Sequence, residues 1–285
     1  MESLELVARE VVEGLYVGMH KSPLRGFSTE FSYHRQYVPG DELRHLDWRV
    51  YGRTQRYYVK LFEAETNFTA TLLLDASSSM HYHSGKVSKL EYAKFMAASL
   101  AYLCIRQRDS VGLAVFDNEL RSYIEPKTTM SVVRTIAEEL EKVEGQPRTN
   151  ISALLHEFAN RIPRRGFVIL FSDLFDHVPE FIQGLDHLRF EGHNIVVFHV
   201  LDPYELSFPF DGSCKFQGLE EDGEVVTQPK RIRQAYLAEL RKFTAQIRSA
   251  CERSHVDYVL VDTSKPVDAT LSAYLIGRIR SVHVR

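Results

Sequence analysis

The chain is 285 residues long, 44% hydrophobic and 26% charged, with a formal net charge of −3. That length suits one large domain, or one domain with an appendage, and supports a full core. The near-neutral balance argues against a general nucleic-acid binder, which presents a strongly basic face. No apolar run approaches the ~20 residues that span a bilayer. The acidic start Met1-Glu2-Ser3-Leu4-Glu5 lacks the basic and apolar regions of a signal peptide. Three cysteines, Cys104, Cys214 and Cys251, stand far apart without metal-ligand spacing, which points to a reducing, cytoplasmic setting. Cys104 falls on an apolar helix face and reads as buried filler.

In chain order, Leu4, Val7, Ala8, Val11, Val12 and Leu15 recur at helical spacing and predict a helix over 3–15. A polar, aromatic-rich segment follows to about Arg56, broken by Gly18, Pro23, Gly26, Pro39 and Gly40. Two strand-like runs, 57–64 and 68–74, flank Glu65-Thr66-Asn67; they form a hairpin, or the first is an edge strand beside the second. Leu90, Ala93, Ala97, Leu100, Ala101 and Cys104 make the apolar stripe of a long helix over 86–106. A buried strand over 110–116, a turn at Asp117-Asn118-Glu119 and a returning strand over 120–124 come next. Helices are expected at about 128–143 and 150–162, a strand over 167–172, a helix over 178–190 and a strand over 195–201. The segment 203–228 interrupts this rhythm with a β-hairpin whose turn is Glu221-Asp222-Gly223. Helix 230–253, strand 256–261 and helix 267–280 complete the chain. Alternating strands and helices predict an α/β fold, with a mostly parallel sheet and helices on both faces.

The most informative stretch is Leu72-Leu73-Leu74-Asp75-Ala76-Ser77-Ser78-Ser79-Met80. An apolar strand ends in Asp-x-Ser-x-Ser, so one carboxylate and two hydroxyls fall at the C-terminal end of a strand, where open α/β sheets bind ligands. This hard, all-oxygen set suits Mg²⁺ or Mn²⁺ rather than Zn²⁺. The competing reading makes Ser77 and Ser79 helix caps and Asp173 a turn residue. Ser84-Gly85-Lys86 is not a phosphate loop, because Met80 stands where the upstream glycine belongs and Val87 where Ser or Thr belongs. His81 and His83 read as loop histidines. Asp117 and Asp202, after other strands, read as turn residues, with an outer role around the ion as the alternative. No Gly-x-Ser-x-Gly elbow supports serine hydrolysis.

Asp75, Ser77 and Ser79, followed by Thr149 at the head of a predicted helix and Asp173 at the end of a second apolar strand, resemble a von Willebrand factor A domain with its metal-ion-dependent adhesion site. The resemblance implies a Rossmann-like central sheet flanked by helices. It also implies a Mg²⁺ (or Mn²⁺ or Ca²⁺) ion held by Asp75, Ser77, Ser79, Thr149 and Asp173. At least one position of that ion stays open for an Asp or Glu from a partner protein.

Upstream, Gly26-Phe27-Ser28-Thr29-Glu30-Phe31, Arg35-Gln36-Tyr37-Val38-Pro39-Gly40-Asp41, Arg44-His45-Leu46-Asp47-Trp48 and Phe62-Glu63-Ala64-Glu65 resemble the signature of the bacterial domain of unknown function 58 family. Membrane spans, in members that have them, precede this region, and none is expected here. The resemblance implies a co-chaperone or adaptor working with a MoxR-type AAA+ ATPase, and not an enzyme. The alternatives are a Mg²⁺-dependent hydrolase, for which no general base is placed by motif, and, more weakly, a nucleic-acid binder. The expected division is an N-terminal signature segment, 1–66, packed on a von Willebrand factor A-like domain, 67–285. Arg35, Arg44, Arg49, Arg53 and Arg56 alternate with Asp41, Glu42 and Asp47, which predicts an ion-pair network in that segment. Trp48 is expected to anchor it by burial.

Overall fold

The computed structural model describes residues 3–19, 33–38, 46–61, 69–144, 151–162, 165–175, 178–218 and 223–282. The chain divides into two compact units, one of residues 1–21 and 68–285 and a smaller one of residues 22–67. The first helix therefore goes with the larger unit.

Six strands form the central sheet: β3 (Thr69–Asp75), β4 (Ser110–Phe116), β5 (Leu120–Lys127), β6 (Phe167–Ser172), β7 (Asn194–Leu201) and β10 (Asp257–Asp262). Their order is β10-β7-β6-β3-β4-β5. All neighbours are parallel except β4 and β5, which are antiparallel. This is the α/β, mostly parallel architecture expected from the sequence. A strand covered on both faces reads as a continuous apolar run, and β3 does so: Leu72 and Leu74 enter one core while Leu73 enters the other.

The first core is covered by α1 (Leu4–Met19), α3 (Lys89–Arg106), α4 (Met130–Lys142) and α9 (Val267–Val282). The second is covered by α5 (Ile151–Arg161), α6 (Val178–Phe190) and α8 (Pro229–Arg253). α3 begins three residues later than its periodicity suggests. Ser88 caps it, accepting from the Glu91 N–H at 3.1 Å while Glu91 accepts from the Ser88 N–H at 2.9 Å. It is also buried well beyond the predicted stripe, with Tyr92, Met96, Ser99 and Leu103 enclosed as well, because α1, α4 and α9 pack around its outer side. Cys104 is buried and unpaired, as expected.

The runs 57–64 and 68–74 do not pair with each other among the described residues. In the smaller unit β2 (Tyr58–Leu61) pairs antiparallel with β1 (Tyr33–Gln36), a strand the polar sequence did not reveal. Between them lies α2 (Trp48–Thr54), capped by Asp47, whose Oδ1 accepts from Arg49 N at 2.9 Å and Val50 N at 3.2 Å. Trp48 is 62% exposed and meets only the edge of Tyr51 among the described ring contacts, so it does not anchor the segment by burial. Arg44, Asp41 and Glu42 of the expected ion-pair network lie outside the described residues.

In the larger unit, the segment after β7 opens with a short helix, α7 (Pro203–Ser207), and continues into the hairpin of β8 (Cys214–Gln217) and β9 (Glu224–Thr227). Phe208, Phe210 and Phe216 pack together, and Phe208 sits against Tyr236 of α8. Gly223 adopts φ +77° at the start of the return strand, a conformation glycine adopts without steric cost. Glu221 and Asp222 of the expected turn lie outside the described residues.

Candidate functional site

The strand order reverses between β3 and β6, since β4 and β5 extend from one side of β3 and β7 and β10 from the far side of β6. In such sheets the crevice beyond the C-terminal ends of the two diverging strands is the ligand site. Asp75 ends β3, and Ser172 ends β6 with Asp173 directly after it. The topology thus brings Asp75, Ser77, Ser79 and Asp173 to one crevice. Thr149 lies outside the described residues.

Asp75 is 1% exposed. Its Oδ1 accepts from the Ser77 N–H at 2.9 Å and its Oδ2 from the Ser172 hydroxyl at 2.5 Å. Ser172 Oγ also accepts from Leu174 N at 2.9 Å, so one side chain staples the ends of both strands. Burial, and then the neighbouring charge of Asp173, push the Asp75 carboxyl up to about 7, against the pull of its hydrogen bonds from Ser172 and Ser77. A carboxylate desolvated beside another is held toward its neutral form.

Ser77 precedes a single 3₁₀ turn, Ser78–His81, yet makes no side-chain capping bond. Its Oγ lies 3.0 Å from the Ser79 Oγ instead. The helix that follows is capped by Ser88, so the capping reading does not account for the motif's two hydroxyls.

Asp173 is buried, and its Oδ2 receives the ammonium of Lys89 at 2.8 Å. The Lys89 side chain is 0% exposed and reaches Glu205 Oε1 at 2.7 Å as well. Burial alone would lower the lysine, but Asp173 and Glu205 together outweigh it and raise it above its ordinary value. Glu205 is itself raised, by burial first, with Lys89 pulling the other way. Glu205 Oε2 accepts from the Asp202 N–H at 2.8 Å, and Asp202 accepts from the Ser84 N–H at 2.8 Å and hydroxyl at 2.5 Å. Asp202 is thus more than a turn residue: it caps α7 and ties down the loop after the serine motif. Asp117 turns to Arg121 at 2.6 Å. His83 is exposed and its ring meets the Gly85 carbonyl.

Behind the site, burial pushes His199 down to about 4. Its Nδ1 pairs with the Tyr258 hydroxyl at 2.7 Å, and the charge and backbone of Asp173 pull the other way.

Sequence reasoning missed Lys89, Ser172 and Glu205. Ser172 had a signal, a serine directly before the motif's Asp173. Lys89 had none, because a lysine near a helix start ordinarily marks a solvated face.

The donor set fits a hard cation. Two buried carboxylates and two hydroxyls 3.0 Å apart converge at the crevice, and oxygen-only ligation suits Mg²⁺ or Mn²⁺. No group of three or more His, Cys, Asp or Glu side chains is gathered for a metal among the described residues. Asp173 and Glu205 share one buried ammonium, Lys89, while the buried Asp75 accepts from Ser77 and Ser172 and the buried Asp202 from Ser84 and Tyr204. That local excess of negative charge also favours a cation.

The model of the family described as "Protein of unknown function DUF58" matches residues 33–246. The uncharacterized protein Rv1480 of Mycobacterium tuberculosis is 24% identical over 224 residues, covering 77% of this chain and 70% of that protein. Among solved structures, an aerotolerance-related membrane protein from Bacteroides fragilis superposes with a TM-score of 0.51 at 18% identity, over 75% of this chain and 99% of that one. The conserved hypothetical protein BatB from Bacteroides thetaiotaomicron does so with a TM-score of 0.50 at 17% identity, over the same shares. Both share the fold of this chain. No helix among the described residues is long and apolar enough to cross a membrane.

Proposed function

The chain belongs to the family described as protein of unknown function DUF58, and we propose that it is a metal-dependent protein-interaction module. The observation that carries this reading is the convergence of Asp75, Ser77, Ser79 and Asp173 at the crevice where the strand order reverses. Asp75, Ser77, Ser79 and Asp173, together with Thr149, would hold Mg²⁺ or Mn²⁺. When bound, such an ion supplies an electrophilic coordination position for a carboxylate of the partner.

The protein's own groups define the rest of the site. Ser172 fixes the Asp75 carboxylate through its 2.5 Å hydrogen bond. The Asp202–Ser84 bonds hold the loop beside the motif. Glu205 is engaged by Lys89 and the Asp202 N–H, and the near-neutral charge gives no support to polyanion binding. The sequence resemblance implies a MoxR-type AAA+ ATPase as partner, with this chain as its co-chaperone or adaptor.

The test is a binding titration between the purified chain and a MoxR-type ATPase from the same genome, in Mg²⁺, in EDTA, and with Asp75→Asn. Binding that requires both the metal and Asp75 supports the reading. Binding indifferent to both refutes metal dependence, and no binding in Mg²⁺ refutes the partner.

A further inference from the structure

Lys89 opens α3 from across the crevice and is fully enclosed. Its ammonium lies 2.8 Å from Asp173 and 2.7 Å from Glu205, with the Phe175 ring at 5.0 Å and the Tyr82 ring at 5.9 Å. A cation thus already sits on one of the two carboxylates that an incoming ion would use. Like charges repel strongly at such separations inside a protein, so an ion engaging Asp173 and the ammonium on Asp173 exclude each other. Glu205 offers the ammonium a second place. The Asp202 N–H holds its Oε2 at 2.8 Å and leaves Oε1 to the lysine. The flexible four-carbon stem of lysine allows a small shift from one carboxylate to the other.

We propose that Lys89 is a tethered counter-cation that competes with a divalent ion for Asp173, and that Glu205 receives the ammonium when the ion binds. The proposal rests on the metal-dependent reading above and deepens it. Asp173 is neutralised by Lys89 without metal, so the ion is held weakly until a partner's carboxylate adds its charge. Metal and partner then bind cooperatively, each raising the affinity for the other by the same factor.

The test is Mn²⁺ titration of the full chain by calorimetry and by the Mn²⁺ paramagnetic resonance signal, with wild type, Lys89→Met, Glu205→Gln, Asp75→Asn and the exposed-loop control Lys86→Gln. Lys89→Met removes the competitor and is expected to bind Mn²⁺ at least tenfold more tightly. Glu205→Gln removes the second carboxylate, confines the ammonium to Asp173, and is expected to weaken binding at least threefold. Lys86→Gln is expected to match wild type. These opposite signs distinguish competition from a structural role, in which breaking either arm of the ion pair would weaken binding.

If Lys89→Met and Glu205→Gln both bind like wild type while Asp75→Asn abolishes binding, the Lys89 proposal is overturned and the metal reading stands. If no protein binds Mn²⁺, Lys89→Met included, both fall. Should Lys89→Met fail to fold, Glu205→Gln decides: binding as tight as wild type overturns the proposal.

Discussion

Replacing Asp75 with Asn is expected to stabilise the metal-free protein at alkaline pH while removing the motif's carboxylate. A carboxyl raised from its ordinary 3.8 to about 7 in the folded state makes an unfavourable contribution once ionised. The sign follows from linkage. Below 3.8 the group is protonated folded and unfolded and contributes nothing. Between 3.8 and 7 the unfolded chain ionises first and stability falls, and above 7 the penalty is complete. At 1.36 kcal/mol per pH unit the gap amounts to about 4 kcal/mol. Asn forfeits part of this gain. Its amide nitrogen cannot accept from Ser172 Oγ, as Asp75 Oδ2 does at 2.5 Å, and reorganising that bond costs about 1 kcal/mol.

The net expectation is a gain of about 2–3 kcal/mol at pH 8, shrinking to nothing or reversing near pH 4. The assay is urea unfolding followed by circular dichroism in EDTA, at steps from pH 4 to pH 8. A variant less stable than wild type at pH 8, or a difference that does not change with pH, would refute the assignment of a desolvated, destabilising carboxylate.

Other expectations are independent of that one. Lys89→Met in EDTA leaves Asp173 and Glu205 buried without their counter-ion and should cost about 3–5 kcal/mol, read as a lower urea midpoint at pH 8. Ser88→Ala removes one half of the capping box of α3 and should cost about 1 kcal/mol. Gly112→Ala would place a Cβ 2.5 Å from the Ile124 carbonyl and 2.9 Å from Pro126 N. Backbone cannot yield there as a flexible side chain would, so a loss of about 1–3 kcal/mol or more is expected in thermal unfolding.

The layered fold was legible because its signals are local and strong. The triple-leucine strand before Asp75, the apolar run 167–172 and the amphipathic helices all announce their period. Helix α6 lies over the residues its pattern marks, 178–190. The smaller unit was not legible as β1-α2-β2, because a four-residue strand such as Tyr33-His34-Arg35-Gln36 carries too few positions to show alternation. The placement of Asp75 and Asp173 at the ends of β3 and β6, with Ser77 and Ser79 just beyond β3, could be read from the strands they follow. What could not be read is tertiary. Lys89 meets Asp173 across 84 residues of chain and Glu205 across 116, and neither separation leaves a trace in local pattern. The same limit hid Ser172, whose importance lies in reaching Asp75 across 97 residues.

The buried groups behind the crevice lead to one more expectation, opposite in sign to the first. His199 is pushed down from 6.5 to about 4 by burial. A base whose folded value is depressed contributes stability above 6.5 that is lost as pH falls through 4, about 3 kcal/mol at 1.36 per pH unit. Asp75 does the reverse over nearly the same range, destabilising as pH rises from 3.8 to 7. In wild type the two slopes offset each other, and the metal-free protein should show a nearly flat stability from pH 4 to 7 as far as these groups decide it. Each single substitution uncovers the other group. Asp75→Asn should gain stability as pH rises, the mark of His199. His199→Gln, whose side-chain amide can still meet the Tyr258 hydroxyl, should lose stability as pH rises, the mark of Asp75. The measurement is the urea midpoint of three proteins against pH in EDTA. Slopes of the same sign in both variants would show that at least one of the two groups is not held in the ionisation state its burial dictates.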